Sequence, residues 1–155
     1  MSCAYQGGCH CGAIHWVFTT RVAPSAWEVR ACQCSFCRMR ATRCTSDRQG
    51  SVEISVADEN ALERYRFGLA TADFLLCARC GVYIGALVES AGRAYATLNL
   101  NTMTTPVERI PDAVEVDYDA ENASGRIERR ASRWTPVVSP IRIGTRGACT
   151  RVETT

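Results

Sequence analysis

The chain has 155 residues, of which 46% are hydrophobic and 22% are charged, the ordinary composition of one soluble globular domain. Its net charge of +2 gives no electrostatic case for a nucleic-acid partner. No apolar run approaches the roughly 18 residues that span a bilayer, so no membrane partner is expected.

Most of the predicted elements are short strands. Residues 13–18 and 51–56 alternate apolar with polar side chains, which is typical of strands that bury one face. The first of these is expected to be the first ordered element, beginning after the cysteines at positions 9 and 11. Four more segments are predicted as strands, with a short helix as the alternative for the second: residues 26–31, 62–67, 94–100 and 114–118.

A metal-binding hairpin is predicted in the middle of the chain. Residues 73–76 lead as a strand into Cys77-Ala78-Arg79-Cys80, and residues 82–89 leave it as another strand. Strand, CxxC turn and strand in succession are typical of a zinc knuckle. Gly81 follows the second cysteine directly and supplies the backbone freedom that such a tight turn requires.

One helix is predicted, over residues 126–134. Its apolar positions fall on one side and four arginines on the other, which indicates a basic, solvated outer face. The four arginines are Arg126, Arg129, Arg130 and Arg133. Residues 1–138 are expected to form one zinc-binding domain, and residues 139–155 a C-terminal tail that is partly disordered.

The compartment decides how the ten cysteines are interpreted. The N-terminus lacks the basic stretch followed by an apolar stretch that marks a signal peptide, which predicts a cytoplasmic protein. In a reducing cytoplasm, clustered cysteines indicate metal binding or catalysis rather than disulfides. Seven of the ten lie in three short motifs: Cys9-His10-Cys11, Cys32-Gln33-Cys34-Ser35-Phe36-Cys37 and Cys77-Ala78-Arg79-Cys80.

The spacing of these motifs predicts two zinc ions of different character. The motifs at 9–11 and 77–80 each offer two thiols, and together they make a closed four-thiolate site that ties distant parts of the chain. Cys32, Cys34 and Cys37 come from one segment, so they cover one side of an ion and leave the other side open. A zinc with three protein ligands is typical of catalysis.

Some alternatives remain open at this point. Cys44 is an alternative fourth ligand that would close the second site, although a partly buried free thiol is favoured. His10 is expected to point away from the ion, and His15 to be a surface residue or one whose hydrogen bonds are satisfied. The spacing does not exclude iron in the four-thiolate site. A CxxC redox protein is disfavoured because no βαβ pattern surrounds the motif.

The three cysteine motifs in this order resemble the glutathione-dependent formaldehyde-activating enzyme family, which includes centromere protein V. The resemblance extends to the residues around the first motif, to residues 98–100 and to residues 133–136, and covers roughly residues 5–137. It implies a mainly β fold, a β-tent of packed antiparallel sheets with zinc-knuckle turns and a short C-terminal helix. It also implies a structural zinc on Cys9, Cys11, Cys77 and Cys80, and a catalytic zinc on Cys32, Cys34 and Cys37.

The activity implied by the resemblance is that of a carbon–sulfur lyase acting on thiol–aldehyde adducts. The family reaction joins formaldehyde to glutathione, which makes a small-molecule thiol and an aldehyde the expected partners. Attraction of the carboxylates of glutathione is the alternative interpretation of the four helix arginines, although a solvated face is favoured. The alternative is a non-enzymatic, zinc-stabilised interaction module. The second zinc site separates the two, because an open three-thiolate ion favours the enzyme and a closed or empty site favours the module.

Overall fold

The computed structural model describes residues 1–138 and 141–144, which fold into a mainly β architecture. The strands of these residues are β1 (Cys3–Gly8), β2 (Ile14–Thr20), β3 (Arg30–Cys32), β4 (Cys44–Thr45), β5 (Ser51–Val56), β6 (Leu62–Tyr65), β7 (Asp73–Cys77), β8 (Tyr83–Ser90), β9 (Arg93–Asn99), β10 (Val114–Val116), β11 (Thr135–Pro136) and β12 (Arg142–Ile143). Two α-helices accompany them, α1 (Ser35–Met39) and α2 (Ala123–Arg133).

The strands build two sheets. One has the order β1-β2-β5-β12, and the other runs β10-β3-β4-β9-β8-β7-β6, with β11 beside β9. Most neighbouring strands are antiparallel, but β10 runs parallel to β3 and β12 runs parallel to β5. The predicted mainly β fold of packed antiparallel sheets is therefore confirmed, and these two pairs are the departures from it.

The main core lies between the sheets because β2 and β5 turn alternate side chains inward. Trp16, Phe18 and Ile54 are almost fully buried in a cluster that also includes Leu98 of the second sheet. The indole N–H of Trp16 donates to Thr102 Oγ1 at 3.0 Å, so this buried donor is satisfied. Each buried side chain of this size contributes on the order of 2–3 kcal/mol to stability, which holds the two sheets together.

A second apolar cluster lies where α2 packs against β8 and β9. It contains Phe74 and Trp134 and extends to Cys37 of α1. The helix begins at Ala123 because the Asn122 side chain accepts the Gly125 N–H at 2.8 Å. This cluster connects α2 to the part of the fold that carries the second cysteine group.

The prediction of a fully solvated basic face on α2 is wrong. Arg133 is exposed as expected, but Arg130 is buried, and Arg126 and Arg129 are half-buried. Arg126 and Arg130 lie four positions apart, so they share a side of the helix, and that side is largely removed from water. The helix also begins three residues earlier than the sequence predicts.

Other elements also differ from the sequence-based expectation, among them the short strands β4, β11 and β12. The strand β1 precedes the first cysteine motif and pairs with β2, whereas the first strand was expected after that motif. It was not predicted because Tyr5 is its one large buried side chain, so it shows no clear alternation. The predicted strand at 26–31 is reduced to β3, preceded by a 3-10 turn at Pro24–Ala26. The helix α1 was not predicted because five residues are too few to show helical periodicity.

Among the described residues, no helix is long and apolar enough to cross a membrane. The proposed tail, residues 139–155, lies largely outside the described residues. Its described part, residues 141–144, contains β12, in which Arg142 pairs with Ser55 and Ile143 with Val56 of β5. The division of the chain at residue 138 stays a prediction.

Candidate metal centres

Four cysteines from two distant turns meet at one place. Cys9 and Cys11 lie in the turn from β1 to β2, whereas Cys77 ends β7 and Cys80 lies in the turn to β8. Their four Sγ atoms all lie within 4.8 Å of one another. The Sγ atom of Cys11 is 3.7 Å from that of Cys9 and 3.6 Å from that of Cys77. The structure therefore brings together the four cysteines that the sequence spacing groups.

The arrangement of these four sulfur atoms fits a zinc ion. A tetrahedral ion with Zn–S bonds of about 2.3 Å holds its thiolates about 3.8 Å apart, close to the separations found here. A disulfide would bring two sulfurs to about 2.0 Å, and all four cysteines are free thiols. Four soft sulfur donors in this geometry can hold a closed metal site.

The backbone around the four-cysteine group is shaped by two glycines. Gly12 has φ +80° and Gly81 has φ +76°, a left-handed conformation that other residues rarely adopt. The Gly81 N–H donates to the carbonyl oxygen of Cys77 at 2.8 Å, which closes the turn after the CxxC motif. In the first turn the Ile14 N–H donates to Cys9 Sγ at 3.2 Å. These turns direct the four thiols toward one another.

The four thiols do not share one acidity. Burial raises the pKa of Cys80, but the N–H groups of Cys11 and Val82 and the neighbouring thiols of Cys77 and Cys11 outweigh it and lower this pKa to about 6. Burial raises the pKa of Cys9 to about 12. Cys80 therefore ionises readily, whereas Cys9 does not. A bound cation is needed to keep all four sulfurs ionised together.

The second cysteine group comes from one short segment. Cys32 ends β3, Cys34 directly precedes α1, and Cys37 lies inside α1. Their three Sγ atoms also lie within 4.8 Å of one another. The turn of α1 makes this possible, because residues three positions apart on a helix are neighbours. The structure therefore brings together the three cysteines of the second motif.

Cys34 is the most acidic thiol of this group. The thiols of Cys32 and Cys37, together with the backbone N–H groups of Cys37 and Phe36, hold its pKa well below the ordinary value. The Cys37 N–H lies 3.5 Å from Cys34 Sγ, which caps the first turn of α1. Hydrogen bonds with the thiols of Cys32 and Cys34 raise the pKa of Cys37, and burial acts in the same direction. The group is an anionic, three-sulfur pocket that suits a soft cation.

Cys44 stands apart from this group in the described part of the chain. It lies in β4 opposite Asn99 of β9 and is buried. Burial raises its pKa to about 12, so the thiol is neutral at pH 7 and packs as a small apolar side chain. The three-cysteine group does not include it, so a metal held by those three cysteines alone would keep a position for another ligand.

We predict that Cys44→Ala leaves the metal content of the protein unchanged. The change removes a neutral thiol from an apolar site, so it should lower the free energy of unfolding by only about 1 kcal/mol. Zinc per chain, measured by atomic emission on the purified protein, checks this. A loss of one zinc equivalent would make Cys44 a ligand and would contradict an open second site.

A cavity opens beside Cys32 and Cys34. Phe67 and Phe74 form the aromatic part of its wall, and their ring centroids are 4.7 Å apart. Phe36, which lies between two cysteines of the second motif, packs on Phe67 at 5.4 Å and on Phe74 at 4.8 Å. The aromatic wall is therefore anchored to the cysteine segment itself.

The rest of this cavity is polar and basic. Arg126 and Arg130 of α2 line it, together with Tyr118 and Asp119 from the segment before the helix. The sequence analysis did not identify Tyr118 and Asp119 as site residues, and it favoured a solvated face for the arginines over a contact with the carboxylates of glutathione. The signal that would have identified the two arginines is their spacing of four, which places them on one side of α2.

The histidines lie outside both cysteine groups. His10 is exposed in the first turn, as predicted. His15 is half-buried, its Nε2 is 3.3 Å from Gln6 Oε1, and burial lowers its pKa. Neither lines the cavity beside Cys32, so proton transfer there would need another group.

Comparison with known proteins places these features in a family context. The family model described as glutathione-dependent formaldehyde-activating enzyme matches residues 4–118. A crystal structure of a Rhodobacter sphaeroides protein, a Northeast Structural Genomics target, is similar with a TM-score of 0.53 and 27% identity. The match covers 72% of this chain and 99% of that chain. No curated protein matches the chain.

The matched range includes all three cysteine motifs but ends before α2. Both metal groups therefore lie within the part of the chain that is similar to the family model. The helix that carries Arg126 and Arg130 follows that range, although it lines the same cavity as Cys32 and Cys34.

Proposed function

Because the chain belongs to the glutathione-dependent formaldehyde-activating enzyme family, we propose that it is a zinc-dependent carbon–sulfur lyase. It acts on thiol–aldehyde adducts, joining formaldehyde to glutathione in one direction and cleaving the carbon–sulfur bond in the other. The observation that carries this proposal is the three-cysteine group beside an open cavity. A purely structural metal needs no such cavity, whereas a substrate does.

Two zinc ions are the proposed resident cofactors, one structural and one catalytic. The structural ligands are Cys9, Cys11, Cys77 and Cys80, and the catalytic ligands are Cys32, Cys34 and Cys37. When bound to the second group, zinc supplies a Lewis acid that polarises an aldehyde oxygen and favours the thiolate form of the attacking sulfur.

The remaining steps fall to the chain itself. The thiol sulfur forms a bond to the aldehyde carbon, the carbon–oxygen π bond breaks, and the thiol proton ends on the former aldehyde oxygen. Phe67 and Phe74 exclude water from part of the cavity and hold the two reactants close together, which reduces the entropic barrier. We assign the transfer of the proton to Asp119, a carboxylate among the lining residues, since no histidine lines the cavity.

We place this activity in the cytoplasm. The cysteines in the described part of the chain are free thiols, both within the metal groups and outside them. Free thiols in this number persist in a reducing compartment, which is also where a thiol such as glutathione is available.

The test of this proposal is the rate of adduct formation by the zinc-loaded protein. Formaldehyde and glutathione combine without an enzyme, so exchange between free and adduct signals should be followed by NMR with and without protein. We expect faster exchange with wild type and with Cys3→Ser, which removes an exposed thiol outside both groups. Two zincs per chain without any acceleration would overturn the lyase and leave the interaction module.

A further inference from the structure

Arg130 is a buried charge without a carboxylate partner. Its exposed fraction is 9%, and none of the ion pairs among the described residues includes it. Its Nη1 donates to Thr71 Oγ1 at 2.7 Å, but its Nε is buried without any hydrogen-bond partner. A buried guanidinium in this state is costly unless an anion completes its contacts.

Burial also lowers the pKa of Arg130 to about 10, and the nearby charges of Arg129 and Arg126 act in the same direction. Its guanidinium carbon lies 5.0 Å from the centroid of the Trp134 ring, a contact that stabilises a cation only in part. Burial and the neighbouring arginines therefore outweigh the charge of Glu121, which acts in the opposite direction.

Arg126 is in a similar position one turn earlier. Its Nη2 donates to the carbonyl oxygen of Tyr118 at 2.6 Å, whereas its Nε is buried and has no hydrogen-bond partner. The carboxylate of Glu121 approaches this Nε only to 3.5 Å, because Arg129 takes both its oxygens, at 2.7 and 3.0 Å. One carboxylate thus serves two arginines, of which Arg126 lines the cavity.

We propose that Arg126 and Arg130 bind a carboxylate of the thiol substrate while its sulfur lies at Cys32 and Cys34. The four residues line one cavity, and a guanidinium matches the two oxygens of a carboxylate. The inference rests on the proposed function and deepens it, since it makes the enzyme selective for thiols that carry a carboxylate. Asp119 also lines the cavity, but it is exposed, so water screens its charge.

Helix α2 follows the residues matched by the family model, so the arginines add a feature to the three-cysteine group that the matched range does not contain. A competing explanation is that the two arginines only balance the negative charge of the three thiolates. The two explanations differ, because charge balance would favour every thiol equally.

Ligand binding to the zinc-loaded protein, measured by calorimetry, separates carboxylate binding from charge balance. The ligands are 3-mercaptopropionate, compared with its methyl ester, and glutathione, compared with its dimethyl ester, because each of these esters keeps the thiol and has no carboxylate charge. We expect each free acid to bind wild type about tenfold or more tightly than its ester, as a charged hydrogen bond is lost with the charge. In Arg130→Gln and in Arg126→Gln this ratio should fall toward one, and in Arg133→Gln it should not change.

Arg133 is the matched control because it lies on the same helix but is exposed. Equal binding of acids and esters by wild type would overturn the proposal. Equal weakening of acid and ester in Arg130→Gln and Arg126→Gln would also overturn it, in favour of charge balance. The rate assay above tests the lyase separately: selective binding without acceleration of adduct formation keeps this inference and rejects the lyase, and acceleration without selectivity does the reverse.

Discussion

Cys77→Ser is expected to unfold the protein or to lower its melting temperature by at least about 10 °C. Cys11 and Cys77 are 66 positions apart, and their sulfurs lie 3.6 Å from each other, so a metal here would close a long loop. Structural zinc in small domains contributes about 10–16 kcal/mol at pH 7, as much as the roughly 5–15 kcal/mol of net stability of a typical domain. A serine hydroxyl does not replace a thiolate in such a site.

Differential scanning calorimetry of zinc-loaded wild type and variant measures this effect. Cys3→Ser is the control because it also replaces a free cysteine by serine, at an exposed position outside both groups. A melting temperature of Cys77→Ser within about 2 °C of that of Cys3→Ser would mean that the four-cysteine group does not hold the fold together. An excess of chelator should lower the melting temperature of wild type in the same way as the substitution.

The sequence predicts best those elements whose two faces differ strongly. β2 and β5 alternate large buried side chains with half-exposed ones, and both were found close to their predicted bounds. The hairpin around Cys77 was predicted from its turn rather than from alternation, because the CxxC motif and the following Gly81 require a turn. In each case neighbouring residues decide the local structure, so the pattern is visible in a short stretch of sequence.

What the sequence did not predict depends on contacts between distant segments. Arg130 was expected in water, and its burial follows only from the packing of α2 against β8 and β9. The cavity combines the cysteine segment with Phe67, Phe74 and the residues from 118 onward, which no local pattern connects. The grouping of the cysteines by spacing succeeded because each motif is itself local. The residues that line the cavity come together only in the tertiary structure.

Cys34→Ser is expected to remove one of two zinc ions and to abolish the acceleration of adduct formation, while the fold persists. Cys34 accepts the Cys37 N–H at the start of α1, and serine is itself a favoured capping residue, so α1 should remain. The three cysteines come from one segment and close no long loop, so a metal there contributes little to the connection between the sheets. The catalytic loss should be at least about a hundredfold if Lewis-acid assistance is worth several kcal/mol.

Zinc content, melting temperature and adduct exchange should be measured together on Cys34→Ser, with Cys44→Ala as the matched control at a nearby buried thiol outside the group. One zinc, a melting temperature within a few degrees of wild type and no acceleration would assign catalysis to the second site. Retention of both zinc and activity would remove Cys34 from the site. A collapse like that expected for Cys77→Ser would mean that both metals hold the fold together, which would contradict the assignment of catalysis to the second site.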